Sequence, residues 1–350
     1  MIYQNTIVKV LSYFIPNQDV RLKFIKRYSR KTKYRIIRDE NIELKKRLDG
    51  LEKKHANDIR QLRYEFQCSQ YKYALSEQRP AMLKDWYKMR MGGGSLDLDN
   101  PRTFNEKIQW LKLHDMDDLK TRLTDKYAVR DWIKEKIGEE YLIPLLAVYE
   151  TPDEIEWDKL PNECVIKCNH GSGWIIIVND KNTINRGEVK TRLQRWLNTT
   201  YGIYGFELQY INISPKIIIE KKIENEGHDD LFDYKFYCFG GEPKYIQFGH
   251  DRFHGELKFA TFNTRWERQP FAYNHPLTDK GVERPDNLDL MLSIAKKLSE
   301  GFKFVRVDLY RLNDGTIYFG EMTFTPESGQ GKWFGQNMDM EFGKLLKLQL

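Results

Sequence analysis

A chain of 350 residues is long enough for two or three domains and a substantial core. With 31% charged and 13% aromatic residues it has a soluble globular balance, which argues against a disordered or low-complexity protein. The net charge of +6 is mild, but basic residues concentrate before residue 40. Cys68, Cys164, Cys168 and Cys238 have no C-x-x-C spacing and no His/Cys partner set, so they read as free thiols in a reducing compartment and give no zinc signal.

Residues 1–39 form a basic amphipathic segment. Gln4, Asn5, Lys9 and Pro16 interrupt its apolar patches, so it reads as neither a secretory signal nor a membrane span. Arg21, Lys23, Lys26, Arg27, Arg30, Lys31, Lys33, Arg35 and Arg38 alternate with Leu22, Phe24, Ile25, Tyr28, Tyr34, Ile36 and Ile37. Such a stretch suits an anionic membrane surface, and a solvated helix packed on its own protein is the alternative. No nucleic-acid fold signature accompanies it.

Residues 40–95 read as a helical arm followed by a linker. Leu44, Leu48, Leu51, His55, Ile59, Leu62 and Phe66 give 40–67 a short coiled-coil pattern, open to self-association or to packing on the body. Pro80 breaks the helix, the segment 81–90 follows, and Gly92-Gly93-Gly94-Ser95 is the linker.

Thr103 followed by Glu106 has capping-box spacing and opens a helix with Trp110, Leu111 and Leu113 on its apolar face. A second helix is predicted over 123–137, with Lys126 and Arg130 four apart on one face, two solvated cations by spacing alone. A strand is predicted over 141–149.

The next strand, Cys164-Val-Ile-Lys-Cys168, carries a lysine inside an apolar run and leads into Asn169-His-Gly-Ser-Gly173. A buried lysine is costly unless an anion meets it, and glycines let backbone N–H groups approach a phosphate. Lys167 with Gly171, Ser172 and Gly173 therefore reads as a phosphate cradle; a lysine snorkelling to water before an ordinary turn is the alternative. His170 is a loop hydrogen-bonder or a phosphate contact.

A hairpin partner over 174–178, a helix over 189–198 and a buried strand over 216–220 follow. Asp233 and Lys235 share a strand face, as site residues or as a cross-strand salt bridge. Arg252 and Arg265 are candidates for a phosphate or carboxylate clamp. After a helix over 288–298 come two apolar strands joined at Asn313-Asp314-Gly315. Each carries one acid, Asp308 and Glu321. Paired strands can bring the two carboxylates together as a site for a hard cation that also bridges phosphates.

These stretches together resemble the ATP-grasp superfamily, most closely its TupA-like branch (teichuronopeptide-biosynthesis type). The resemblance runs from Asn100 to the C-terminus, carried in order by 100–110, 125–130, 165–173, 219–223, 233–239, 305–310 and 320–324. It implies an α/β (α+β) ATP-grasp fold with an N-terminal helical, coiled-coil arm. Residues 96–160 would be the N-terminal part of the catalytic body, 161–223 a small lid and 224–350 the C-terminal part with the metal site.

The implied ligands are ATP and one or two Mg ions. Lys126, Lys167 and the His170–Gly173 turn would meet the phosphates, Glu220, Lys221 and Ile223 the adenine, and Asp233 the ribose, with Lys235 beside it. Asp308 and Glu321 would hold the ions, joined by Thr323 where many relatives have Asn, and Arg306 would stabilise the transferring phosphoryl group. Relatives also tend to have Asp-Trp where this chain has Phe262-Asn-Thr-Arg265-Trp266.

The implied activity is carboxylate–amine ligation through an acyl phosphate, joining an amino acid and a uronic acid unit of a cell-surface polysaccharide or lipid-linked glycan. The expected location is the cytoplasm, at the inner face of the membrane. A glycosyltransferase or sugar-modifying transferase of the same pathway, and a non-catalytic coiled-coil scaffold with a degenerate body, are the alternatives.

Overall fold

Among the described residues, apolar strands build a four-stranded and a six-stranded antiparallel sheet and a two-stranded pair, and helices with apolar stripes pack on the two larger sheets. The computed structural model describes residues 77–225, 231–250 and 257–348, together with helical residues 39–40, 42–47, 62, 66 and 69. The basic segment 1–39 lies almost wholly outside the described residues, as do Arg252 and most of the predicted coiled-coil repeat. The chain divides into two units, Met1–Met82 and Leu83–Leu350. Within the first, Leu44, Leu62 and Phe66 are half-buried. No described helix is long and apolar enough to cross a membrane.

Helix α1 (Arg79–Arg90) starts at the predicted Pro80 break, since proline is tolerated in a first turn. Helix α2 (Phe104–His114) opens on the complete capping box: Thr103 accepts from the Glu106 N–H while the Glu106 carboxylate accepts from the Thr103 N–H. The helix expected over 123–137 is two helices, α3 (Asp118–Thr124) and α4 (Val129–Lys136). Asp125 splits them: its Oδ1 accepts from the N–H groups of Tyr127 (2.8 Å) and Ala128 (3.2 Å), an Asx turn that competes with helical bonding. Lys126 therefore sits in a break, not on a helix face.

The first sheet comprises β1 (Leu145–Tyr149), β2 (Cys164–Cys168), β3 (Ile175–Val178) and β4 (Ile217–Lys221) in the order β1-β4-β2-β3. The strand predicted over 141–149 begins only after Pro144. Between β3 and β4, α5 (Arg186–Leu197) packs Val189, Leu193 and Trp196 on Ile166, Cys168, Ile176 and Ile219.

The larger sheet contains β5 (Phe232–Phe239), β6 (Glu242–His250), β7 (Lys258–Asn263) and β8 (Arg268–Gln269). After β9 (Phe271–Tyr273) and α6 (Leu288–Ser299) come β10 (Phe304–Arg311) and β11 (Ile317–Thr323), giving the order β11-β10-β5-β6-β7-β8. Short β12 (Trp333–Gly335) pairs with β9, and α7 (Asp339–Leu345) closes the described chain.

Alternation on β5 sends Tyr234, Phe236 and Cys238 against α4 and α6, and Tyr237 and Phe239 against α2 and α7. The sheet is thus covered on both faces except at one end, where charged residues replace aromatic ones. Cys164, Cys168 and Cys238 are buried free thiols.

Candidate active site

The floor of the site is that charged end of β5, β10 and β11. Register sets Asp308 opposite Lys235 on one side and opposite Glu321 on the other, a charged row across three strands. The two acids meet because β11 is bulged. Before the bulge Ile317 and Phe319 join the core beneath; after it Met322 and Phe324 do. The strand's parity changes at Gly320, so Glu321 and Thr323 turn to the face that carries Arg306 and Asp308. Glycine permits this approach: a Cβ at Gly320 would stand 3.0 Å from the Asp308 carbonyl oxygen.

Arg306 donates from Nε to Asp308 Oδ1 and from Nη2 to Asp308 Oδ2, both at 2.7 Å. The same Nη2 reaches Glu321 Oε1 at 3.2 Å and Thr323 Oγ1 at 3.1 Å. Lys235 Nζ donates to Asp233 Oδ2 at 2.7 Å and to Asp308 Oδ2 at 2.9 Å. Burial alone raises the Glu321 pKa, but Lys126, Arg306 and Lys235 outweigh it and hold the carboxyl down at about 2. Asp308 moves the other way: burial raises its pKa, Arg306 and Lys235 offset this only in part, and Asp233 and Glu321 repel its charge.

The roof comes from the smaller sheet. Lys167 Nζ donates to Glu220 Oε2 at 2.7 Å, and Arg130 Nη1 donates to Glu220 Oε1 at 3.1 Å. The anion that meets the lysine is therefore Glu220, and burial of Lys167 is not in itself a sign of phosphate. Beyond β2, Gly173 takes a φ of +72° with open space where a Cβ would lie. Gly171 tucks under the Trp174 ring, where a Cβ would come within 2.4 Å.

His170 is buried below the turn, its ring nitrogens 3.2 Å from Asn169 Oδ1 and 3.1 Å from the Trp196 carbonyl oxygen, and burial lowers its pKa. These are the contacts of a loop hydrogen-bonder. Lys126 Nζ donates to the Gly171 carbonyl at 2.8 Å and lies 3.7 Å from Glu321 Oε2, where roof meets floor.

Roof and floor enclose a cleft of about 250 Å³. Lys126, Arg130, Lys167, Ser172, Gly173, Glu220, Asp233, Lys235, Asp308 and Glu321 line it, and all were singled out from sequence. Val129, Leu142, Ile143, Trp174, Ile175, Ile218, Tyr310 and Phe319 also line it. Sequence reasoning did not assign these to the site, because an apolar residue on a periodic element carries the same signal whether it faces a core or a ligand.

Arg306, Thr323 and Gly171 do not line the cleft but bond residues that do: the first two donate to Glu321 Oε1, and the Gly171 carbonyl accepts from Lys126. Lys221 does not line the cleft: it is exposed, and its backbone N–H is spent on the Pro144 carbonyl at 2.9 Å, so that N–H is not free to meet an adenine edge. Ile223 is half-buried and also outside the lining. Arg265, exposed and paired with Glu267 at 2.9 Å, is not brought to the cleft.

The residues fit the expected ligands in chemistry. Among the described residues no group of three His, Cys, Asp or Glu forms a metal cage. Two facing carboxylates suit Mg, which is commonly held by one or two carboxylates and completed by substrate phosphates.

A small sheet bearing a glycine turn, set over a larger sheet bearing paired carboxylates, is the arrangement of an ATP-grasp fold. Residues 106–347 match the sequence model of the TupA-like ATP-grasp family, well over half of the chain, and the protein belongs to that family. No curated protein matches the chain. Among solved structures it is similar to D-alanine–D-alanine ligase from Bacillus anthracis complexed with ATP (20% identity, 58% of this chain and 55% of that one, TM-score 0.34). It is also similar to the ATP-grasp ligase PsnB complexed with minimal precursor, Mg and ADP (11% identity, 85% and 73%, TM-score 0.37). A third is L-amino acid ligase from Bacillus licheniformis (15% identity, 72% and 56%, TM-score 0.40). The chain spans just over half the length of the first and third of these.

Proposed function

We propose that the protein is an ATP-dependent carboxylate–amine ligase. The observation that carries this reading is the meeting of Lys126, the glycine turn and the paired carboxylates Asp308 and Glu321 at one end of an otherwise half-apolar cleft. The apolar end, with Val129, Leu142, Ile143 and Ile218, takes the adenine, next to Glu220. Asp233 and Lys235 face the ribose. Lys126, Lys167, Ser172 and Gly173 face the phosphates, with 161–223 acting as the lid.

Asp308 and Glu321, with Thr323 beside them, are the residues to hold one or two Mg ions, which when bound neutralise phosphate charge. A substrate carboxylate oxygen attacks the γ-phosphorus, and the bond to the ADP oxygen breaks. An amine then attacks the acyl carbon, phosphate leaves with the bonding electrons, and the nitrogen loses a proton to leave an amide. Arg306, fixed between Asp308 and Glu321, contributes positive charge that need not reorganise as charge develops.

We take the substrates to be an amino acid and a uronic acid unit of a cell-surface glycan, and the basic segment 1–39 to hold the enzyme at an anionic membrane face. The test is Mg-dependent phosphate release from ATP across panels of amino acids and uronic-acid acceptors, with products identified by mass spectrometry. An amide product with stoichiometric phosphate is expected. No phosphate release with any pair, and no effect of millimolar Mg-ATP on the melting temperature, would overturn the reading.

A further inference from the structure

Lys126 has a long flexible stem and lies in a break between two helices, so something must fix it. Its backbone N–H donates to the Asn169 carbonyl at 3.2 Å, and its Nζ to the Gly171 carbonyl at 2.8 Å. Both partners belong to the turn after β2.

That turn is governed by one side chain. Asn169 is 0% exposed. Its Nδ2 donates to Asp125 Oδ1 at 2.8 Å and to the Ser214 carbonyl at 3.0 Å. Its Oδ1 accepts from the Lys216 N–H at 2.6 Å, and its backbone N–H donates to the Lys216 carbonyl at 3.1 Å. One buried amide thus ties together the helix break, the glycine turn and the chain entering β4. Asp125 closes the tie, because the oxygen that meets Asn169 also accepts from Tyr127 and Ala128 and so shapes the break that presents Lys126. Only Asn or Gln supplies two donors and two acceptor sites on one short planar group. Left unpaired at this depth, those groups would lose their hydrogen bonds with no water to replace them.

We propose that Asn169 and Asp125 are a positioning pair: they register Lys126 on the Gly171-Ser172-Gly173 turn, so that affinity for the nucleotide's phosphates, but not for its nucleoside, depends on them. The inference rests on the reading that Lys126 and the turn face the phosphates. Its physical basis is preorganisation. A phosphate arriving between an ammonium and a turn already held in place loses less affinity to ordering than one that must assemble them. The apolar end of the cleft, with Leu142, Ile143 and Ile218, makes none of these contacts, so the nucleoside should not sense the pair.

The full-length protein is titrated with Mg-ATP, Mg-ADP and adenosine. Asn169→Ala is expected to weaken both magnesium nucleotides at least tenfold while adenosine stays within twofold of wild type. Asp125→Ala cuts the same bond from the other end, should give the same selective loss, and serves if the first variant does not fold. Asn169→Asp sets two carboxylates together and leaves the Ser214 carbonyl without its donor, so it should lose Mg-ATP affinity as well. A purely structural role would weaken adenosine equally, and that result overturns the proposal.

Lys126→Met separates the inference from the reading beneath it. If Lys126→Met loses Mg-ATP but Asn169→Ala and Asp125→Ala bind it as wild type does, the positioning role fails and the phosphate reading stands. If all three bind Mg-ATP as wild type does, both fail.

Discussion

Glu321 stands among three cations, and its ionisation is coupled to the fold. Its folded pKa of about 2 lies below the unfolded value of about 4.3. A depressed carboxylate contributes stability that is fully present above the unfolded pKa and is lost as pH falls toward the folded one. Glu321→Gln should therefore be less stable than wild type at pH 7, and the gap should narrow between pH 5 and pH 3. Denaturant midpoints across that range test it; a gap that is constant with pH would show that the charge does not couple to folding.

The same residue carries a kinetic expectation. Asp308→Asn and Glu321→Gln each remove an expected ion ligand worth several kcal/mol of transition-state stabilisation, so turnover should fall by about 100-fold or more. Near-wild-type turnover in either variant would remove the metal assignment. These two acids were legible in the sequence because a charge inside an apolar run demands a reason. Asp125 and Asn169 were not, because their bond joins residues 44 apart and no local spacing encodes it. Lys167 drew attention for a sound reason, the cost of its burial, but the anion found there is Glu220.

Elements were legible where their period held, and misread where a single residue broke it. The strands bearing the acids follow from apolar alternation, but alternation alone would place Glu321 on the same face as Ile317 and Phe319, in the core. The bulge at Gly320 reverses this, and a lone glycine in a strand is an ambiguous signal. The 123–137 helix was misread for a similar reason: Asp125 suits a helix interior poorly, yet only its side-chain bonds to Tyr127 and Ala128 decide that the helix stops. Gly320→Val tests the first point. Its side chain would press on the Asp308 carbonyl and the Tyr310 ring, at 3.0 and 3.2 Å from the Cβ. Overpacking of this kind typically costs about 1–3 kcal/mol. The urea midpoint should fall, and turnover should fall further than stability alone explains, because the register that brings Glu321 to Asp308 is disturbed. Unchanged midpoint and turnover would mean that the bulge tolerates a side chain and does not set the pair.

For the whole molecule, a ligand held between the two sheets should act on the stability of both. If Mg-ATP binds only the folded state, a concentration 100 times its Kd stabilises by about 2.7 kcal/mol. With an unfolding entropy of about 2.1 cal/mol/K per residue, that is a rise of roughly 5 °C in melting temperature for a body the size of Leu83–Leu350. Differential scanning fluorimetry with Mg-ATP, and with each component alone, reads it. A shift that needs both components supports joint binding in the cleft, and no shift at any concentration counts against it.

The N-terminal segment is a different kind of problem, because its chemistry is written in composition. From Arg21 to Arg38 there are nine basic residues by sequence (Arg21, Lys23, Lys26, Arg27, Arg30, Lys31, Lys33, Arg35, Arg38), no acid among them, and apolar residues between. Each basic residue near an anionic leaflet contributes on the order of 1 kcal/mol, so engagement of even half of them would hold the protein at a membrane. The attraction is electrostatic and falls off within a Debye length of about 10 Å at 0.1 M salt. Binding should therefore require acidic lipid and weaken steeply with salt. Full-length protein is expected to co-sediment with anionic vesicles at low salt, to remain in the supernatant with neutral vesicles, and to be released as salt rises. Deletion of residues 1–39 should abolish co-sedimentation while leaving the Mg-ATP shift intact, since the described residues that line the cleft all lie between Lys126 and Glu321. Equal recovery in the supernatant under every condition would mean that these charges face only solvent or the protein itself.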